Sequence, residues 1–303
     1  MGNVIVTKIS TLKGHQGAVY ALESGVNEHL FFSGSSDKYV ALWNLKTLQA
    51  EKFAAVLPGI VYSICYVASQ QLLLVGTSLG SIHVISLDKK EEIKILQLHT
   101  GPVFNINYSI KQNCFYSVSG DGNFAVCAIE TLSLIKIKKL CTQKIRSIDF
   151  SDMNNQIITA SGDGAIRIFN IQTLEEEAVI DAHKLSANMA KFSPDGRFII
   201  SGGRDAHLNY WDAKDLTLLQ SIPAHNYAIY DIVYSPDAKL IGTASRDKTI
   251  KIWDANTLQL LTRINKEKNE GHRFSVNKLL WSKYNNYLIS TGDDSTIIVW
   301  KID

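Results

Sequence analysis

A segment of 42 residues recurs along this 303-residue chain, and this recurrence limits the fold more than any other feature. Successive members of one repeat position are 42 residues apart, except for a last interval of 47: Trp43, Ile85, Cys127, Phe169, Trp211, Trp253 and Trp300. A second position lies 28 residues earlier in each copy and holds His15, Leu57, His99, Cys141, His183, His225 and His272. Tandem repeats of this length are typical of solenoids and propellers. The chain therefore contains seven copies of one structural unit.

Each copy carries the pattern of a small β-sheet. Segments such as AVYALES and YVALWNL are rich in β-branched and aromatic residues that alternate, and turn residues separate them. One copy has room for about four short strands, and a four-stranded sheet cannot bury both of its faces alone. Seven such sheets stacked radially share a continuous core. We therefore predict an all-β fold, a seven-bladed β-propeller that forms one domain over residues 1–303.

The two ends of the sequence predict how the propeller closes. The chain opens with the strand-like run NVIVTKIST and stops three residues after Trp300, one strand short of a complete last unit. We expect the opening strand to complete blade seven, because such closure removes an exposed sheet edge. The five extra residues of the last interval fall in or near the polar stretch at 265–270, which predicts a loop insertion.

Composition and charge argue against several functional classes. Lysine and arginine total 31 against 29 acidic residues, and a net charge of +2 is too small to predict a nucleic-acid partner. The four cysteines lack the paired spacing of a zinc site and the density of a disulfide-rich secreted domain. The start has no secretory apolar core, and no window approaches 18 apolar residues. We expect a cytoplasmic protein with reduced thiols and no membrane partner.

At the histidine and tryptophan positions the chain resembles the WD-repeat β-propeller family. The pairs Gly14-His15 and Gly271-His272 stand 28 residues before Trp43 and Trp300. Ala182-His183 and Ala224-His225 stand equally far before the Trp-Asp pairs at 211–212 and 253–254. Seven copies in register carry this resemblance over the whole chain.

The resemblance implies a hydrogen-bonded tetrad of Asp, His, Ser or Thr, and Trp that joins a loop to two strands of a blade. Histidine, hydroxyl and carboxylate also suggest a hydrolase, but repetition in four blades favours a structural role. Blades 2, 3 and 4 depart from the pattern, with four apolar residues in blade 2, Cys127 in blade 3, and Cys141 with Phe169 in blade 4. We expect these three blades to be less rigidly held. The complete tetrads are His15, Ser33, Asp37 and Trp43; His183, Ser201, Asp205 and Trp211; His225, Thr243, Asp247 and Trp253; and His272, Ser290, Asp294 and Trp300.

The resemblance also implies which residues surround the entrance of the central channel. In the family, residues five past the histidine and one before the aspartate point outward there. Aromatic residues and arginines dominate binding interfaces, which predicts a partner-binding face. Arg204 and Arg246 occupy the same position on successive blades and favour an acidic or phosphorylated peptide held between them. The predicted face consists of Tyr20, Tyr62, Phe104, Arg146, Arg204, Tyr230 and Arg246.

These patterns lead to three functional hypotheses. The first is a non-enzymatic scaffold or adaptor that binds peptide segments or partner proteins, with no cofactor and no metal. The second is an enzyme that uses the channel, which would require convergent metal ligands that the sequence does not suggest. The third is a permanent structural subunit of a larger assembly.

Overall fold

The computed structural model describes residues 4–303, so residues 1–3 of the predicted domain and of the opening run lie outside the described part. Residues 4–303 form seven four-stranded antiparallel sheets. The helical content of this range is one turn, α1 (Lys266–Asn269), and two short 3-10 segments. The predicted all-β, seven-bladed β-propeller is confirmed. No helix among the described residues is long and apolar enough to cross a membrane.

The strands follow the repeat in chain order, after an opening strand β1 (Val6–Leu12). Blade 1 contains β2 (Val19–Ser24), β3 (Leu30–Ser35), β4 (Tyr39–Asn44) and β5 (Gln49–Val56). Blade 2 contains β6 (Val61–Val67), β7 (Leu72–Thr77), β8 (Ser81–Ser86) and β9 (Glu91–Gln97). Blade 3 contains β10 (Val103–Ser109), β11 (Cys114–Ser119), β12 (Asn123–Ala128) and β13 (Ser133–Lys139).

The remaining blades repeat the same arrangement. Blade 4 contains β14 (Ile145–Ser151), β15 (Gln156–Ser161), β16 (Ala165–Asn170) and β17 (Glu176–Asp181). Blade 5 contains β18 (Ala187–Phe192), β19 (Phe198–Gly203), β20 (His207–Asp212) and β21 (Leu218–Pro223). Blade 6 contains β22 (Ile229–Tyr234), β23 (Leu240–Ser245), β24 (Ile250–Asp254) and β25 (Leu260–Ile264). Blade 7 contains β26 (Val276–Trp281), β27 (Tyr287–Gly292), β28 (Ile297–Ile302) and β1.

The chain divides into two compact units. The first comprises the described residues up to Val61 together with Tyr227–Asp303, and it contains blades 1, 6 and 7. In this unit Trp43 and Phe31 of blade 1 pack in one apolar cluster with Val299 of blade 7. Trp300 lies in a second cluster with side chains of blade 6.

The opening strand completes blade 7, as predicted. β1 pairs antiparallel with β28, so that Val6 lies opposite Ile302 and Leu12 opposite Ile297. Leu12 is 3% exposed and belongs to the cluster shared by blades 7 and 1. The ends of these two strands are joined by reciprocal backbone hydrogen bonds between Ile5 and Asp303, at 2.9 and 3.0 Å.

The second unit, Tyr62–Asn226, contains blades 2 to 5 except for the first residue of β6. Apolar clusters lie between successive blades, and side chains six residues past the histidine position add hydrogen bonds between their first strands. Ser63 Oγ donates to the Val103 carbonyl at 2.9 Å, and Asn105 Oδ1 accepts the Ile148 N–H at 3.0 Å. The four cysteines of the chain all lie in this unit and are free thiols.

The insertion before His272 contains a helical turn where the sequence analysis expects a loop. The side chain of Asn265 caps α1 by accepting the Lys268 N–H at 2.9 Å, and Glu270 ends it in the left-handed conformation. A polar side chain at this position satisfies an N–H that a short helix leaves free, which explains the turn. Lys8 Nζ of β1 donates to the Glu270 carbonyl at 2.9 Å and fixes the insertion to blade 7.

Candidate partner-binding face

In blades 1 and 3 to 7, a backbone hydrogen bond joins the loop that follows the histidine position to the turn that precedes the aspartate, at one end of the sheet. The residue before the turn aspartate donates its N–H to the carbonyl three residues past the histidine position, as in Gly162 to Lys144 at 2.7 Å. We call this end, where the loop before the first strand meets the turn between the second and third strands, the loop end. The same bond occurs in Ser36 to Ala18, Gly120 to Pro102, Arg204 to Ser186, Arg246 to Ala228, and Asp293 to Ser275.

Polar networks with the composition of the expected tetrads hold the loop end in several blades. In blade 7, His272 Nδ1 lies 3.0 Å from Asp294 Oδ1 and its Nε2 lies 2.9 Å from Ser290 Oγ, which also accepts the Trp300 indole N–H at 2.8 Å. In blade 6, the Trp253 indole donates to Thr243 at 3.0 Å. Equivalent bonds of 2.7–3.1 Å join His15, Ser33, Asp37 and Trp43 in blade 1, and His183, Ser201, Asp205 and Trp211 in blade 5.

The aspartates of the networks in blades 1, 5 and 7 are stabilised in their charged form. Burial by itself raises the pKa of Asp37, but the N–H groups of Gln16 and Tyr39 and the His15 ring hold its pKa below the usual range. The serine hydroxyls are 0% exposed and each already accepts an indole N–H. A hydroxyl so placed has no room for a substrate carbonyl, so these networks join the loop to the sheet.

Blade 3 keeps part of this network. His99 Nε2 lies 2.8 Å from Ser117 Oγ, and its Nδ1 lies 3.5 Å from Asp121. Cys127 replaces the tryptophan, and burial lowers the pKa of His99 despite the nearby Asp121 charge. The turn itself is held by Asp121, which accepts the Asn123 N–H at 2.9 Å, and by Gly122 at φ +77°.

Blades 2 and 4 contain polar networks of a different kind, which the sequence analysis did not predict. In blade 2, His83 Nε2 lies 2.9 Å from Ser81 Oγ, and its Nδ1 hydrogen-bonds with Glu92 on the outer strand. In blade 4, Arg167 donates to Ser161 Oγ at 2.7 Å and to Asp163 at 2.6 Å. The first network joins the third strand of blade 2 to its outer strand, and the second joins the third strand of blade 4 to its second strand and turn. Neither blade therefore depends on apolar packing alone.

A sequence signal for these substitutes does exist. His83 and Arg167 occupy the same repeat position, on the third strand four residues past the turn aspartate position, whereas blades 1 and 3 have Ala41 and Ala125 there. A polar side chain in a buried strand usually has a hydrogen-bond partner. Blades 5 and 6, whose tetrads are complete, also have polar residues there, Asn209 and Lys251, so the position alone does not distinguish blades with a complete tetrad from blades without one.

In the second unit, three of the predicted face residues contact one another. The rings of Tyr62 and Phe104 meet edge to face with their centroids 5.3 Å apart. The Arg146 guanidinium lies over the Phe104 ring at 5.3 Å from its centroid. Burial lowers the pKa of Lys144, and the positive charges of Arg146 and Arg204 lower it further. Two aromatic rings and three cations therefore share the loop ends of blades 2 to 5.

In the first unit, the loop ends carry a related pairing. The Arg246 guanidinium lies 5.8 Å from the ring centroid of Tyr227, and Lys248 Nζ lies 6.0 Å from that of Phe274. Tyr227 is 59% exposed and Phe274 55% exposed. These two aromatic residues are not among the predicted face residues, although both stand two residues past the histidine position. The predicted Tyr20 and Tyr230 are half-buried.

The predicted Arg204 and Arg246 are both exposed, Arg204 in the second unit and Arg246 in the first.

Across residues 4–303, no group of three or more His, Cys, Asp or Glu residues is placed to hold a metal ion.

Comparison with known protein families agrees with this architecture. The model described as "WD domain, G-beta repeat" matches residues 6–44, 216–254 and 265–301. The chain is also similar, over residues 65–202, to the family described as "Eukaryotic translation initiation factor eIF2A". No curated protein matches the chain at a significant level. The three repeat matches and the seven four-stranded sheets identify the chain as a WD-repeat β-propeller.

Proposed function

We propose that the protein is a non-enzymatic interaction scaffold that binds peptide segments or partner proteins through the loop ends of its blades. The observation that carries this proposal is the recurrence of a cation over an aromatic ring at the loop end, in Arg146 with Phe104 and in Arg246 with Tyr227. Arginine and aromatic side chains provide a large contact area and hydrogen bonds at a small entropic cost. A surface held by buried polar networks also loses little freedom on binding.

The partner's chemistry follows from the charge of these loop ends. Lys144, Arg146, Arg204, Arg246 and Lys248 are all cationic, so we propose an acidic or phosphorylated partner segment. A cytoplasmic location accords with the free thiols of the four cysteines, since thiols stay reduced in that compartment.

Affinity purification with matched variants tests this function. The variants Tyr227→Ala/Phe274→Ala and Tyr62→Ala/Arg146→Ala are expected to recover at least tenfold less of the partner than the unchanged chain does, because they remove aromatic and cationic contact area from the loop ends. Ile135→Ala/Ile137→Ala, which removes exposed apolar side chains from β13, serves as the matched control and is expected to recover the same amount. Equal recovery by all variants would contradict binding through the loop ends.

A second candidate rests on the family match over residues 65–202. This segment contains most of blade 2, all strands of blades 3 and 4, and the first strand of blade 5 with all but the last residue of its second strand. It supports a role in an assembly of translation initiation, either as an adaptor or as a permanent subunit. The same purification separates the possibilities. Initiation factors recovered at fixed stoichiometry would support a permanent subunit, and their recovery at variable stoichiometry would support an adaptor.

A further inference from the structure

The loop ends of blades 2 to 5 form a graded surface, apolar at one end and cationic at the other. Tyr62 and Phe104 form its aromatic part, and Arg146, at the start of β14, lies over the Phe104 ring. Arg204 donates its N–H to the Ser186 carbonyl, directly before β18. β18 is joined to β14 by the hydrogen bond from the Ala190 N–H to Ser147 Oγ at 3.1 Å, so Arg204 stands at the loop end next to that of Arg146 and Lys144. Four of these five side chains are half-buried and Arg204 is exposed, so each keeps a solvent-accessible part. A ligand on this surface would contact a ring and several cations together.

Two glycines allow these side chains to lie directly on the turns beneath them. A Cβ on Gly120 would stand 3.2 Å from Phe104 Cε2, and a Cβ on Gly162 would stand 3.3 Å from Lys144 Cγ. Neither glycine has the positive φ that would require glycine for its backbone alone. Their lack of a side chain therefore keeps the surface between Phe104 and Arg204 low, which suits an extended segment lying across it.

The turn carboxylates of blades 3 to 5 already have hydrogen-bond partners within their own blades. Asp121 accepts the Thr100 N–H at 2.9 Å, Asp163 is bound by Arg167, and Asp205 faces His183 at 2.9 Å. These carboxylates are directed into their turns, while the positive charges lie close together. Such a cluster of positive charge attracts an anion. A phosphorylated side chain carries about −1.5 to −2 charges and three acceptor oxygens, which matches three cations better than one carboxylate does.

We propose that this surface binds a phosphorylated side chain of an extended peptide, with the phosphate at Lys144, Arg146 and Arg204 and a neighbouring apolar side chain on the Tyr62–Phe104 pair. The proposal rests on the proposed function and names its ligand class. It groups Arg204 with Lys144 and Arg146, whereas the sequence alone suggested a pair of Arg204 with Arg246.

Three peptide pools test the assignment. The pools have the same degenerate flanking positions and differ only in a fixed central serine, phosphoserine or glutamate, and their binding to the full chain is followed by fluorescence anisotropy. We expect the phosphoserine pool to bind at least tenfold more tightly than either other pool, and inorganic phosphate to compete. Lys144→Gln/Arg204→Gln should abolish this preference, whereas the control Lys94→Gln/Lys136→Gln, which removes two charges from outer strands, should keep it.

Equal binding of the three pools to the unchanged chain would overturn the proposal, as would a preference that survives Lys144→Gln/Arg204→Gln. Glutamate binding as tightly as phosphoserine would assign the surface to carboxylates and overturn the phosphate. These results are distinct from failure of the scaffold function. The scaffold function fails only if the aromatic variants recover as much partner as the unchanged chain does. It stands if those variants recover less partner, even when the three peptide pools bind with equal affinity.

Discussion

Removal of residues 1–12 is expected to prevent the rest of the chain from forming a soluble, folded monomer. This deletion takes away β1, the outer strand of blade 7, together with Leu12 from the core between blades 7 and 1. It also leaves β28 as an unpaired edge, and exposed apolar edges pair with other molecules. The lost strand and core contacts are worth several kcal/mol, comparable with the ~5–15 kcal/mol net stability of a domain. Soluble yield, size-exclusion chromatography and thermal unfolding measure the effect.

Addition of the missing strand as a peptide provides the control. A synthetic peptide of residues 1–13 is expected to restore cooperative unfolding to the shortened chain. The same peptide carrying Lys8→Pro/Ile9→Pro should fail, because proline cannot donate a backbone hydrogen bond to β28. A shortened chain that unfolds at the same temperature as the full chain would contradict the role of β1.

Ser290→Ala is expected to lower the free energy of unfolding by about 2–6 kcal/mol. The Ser290 hydroxyl is completely buried and binds both the Trp300 indole N–H and the His272 ring. Its removal leaves two buried polar groups without this partner, each at a cost of about 1–3 kcal/mol. Chemical unfolding followed by tryptophan fluorescence measures the change.

Ser24→Ala is the matched control for this substitution. Ser24 is likewise a strand serine, at the end of β2, but it is exposed, and exposed substitutions usually change stability by less than about 0.5 kcal/mol. If Ser290→Ala and Ser24→Ala changed the free energy of unfolding equally, the hydrogen bonds of Ser290 would not stabilise blade 7, and the prediction would be wrong.

Repetition explains how much of this molecule could be predicted from one sequence. The period set by Trp43, Trp211, Trp253 and Trp300 locates each sheet and places histidine, hydroxyl and carboxylate at the same end of it. The pairing of β1 with β28 follows from counting strands. In both cases the prediction rests on several copies of the repeat that share one spacing.

Features that occur once are not predictable in this way. His83 and Arg167 act in single blades, and their partners Glu92 and Ser161 come from strands whose register only the fold determines. The helical turn at Lys266–Asn269 depends on one capping side chain in an insertion with no repeat equivalent. The edge-to-face contact of Tyr62 with Phe104 depends on the spacing of adjacent blades, which no single copy of the repeat contains.

Disulfide trapping between β1 and β28 tests the closed propeller most directly. Thr7 lies opposite Lys301 in the antiparallel pair, within the Cα separation that a disulfide spans. Under mild oxidation the Thr7→Cys/Lys301→Cys variant is expected to form this link in nearly all molecules, as found by mass spectrometry of proteolytic fragments. The control Thr7→Cys/Lys52→Cys, with the second cysteine on β5 of blade 1, should stay reduced. A free pair at positions 7 and 301 in folded protein, or a link between positions 7 and 52, would contradict closure of blade 7 by the opening strand.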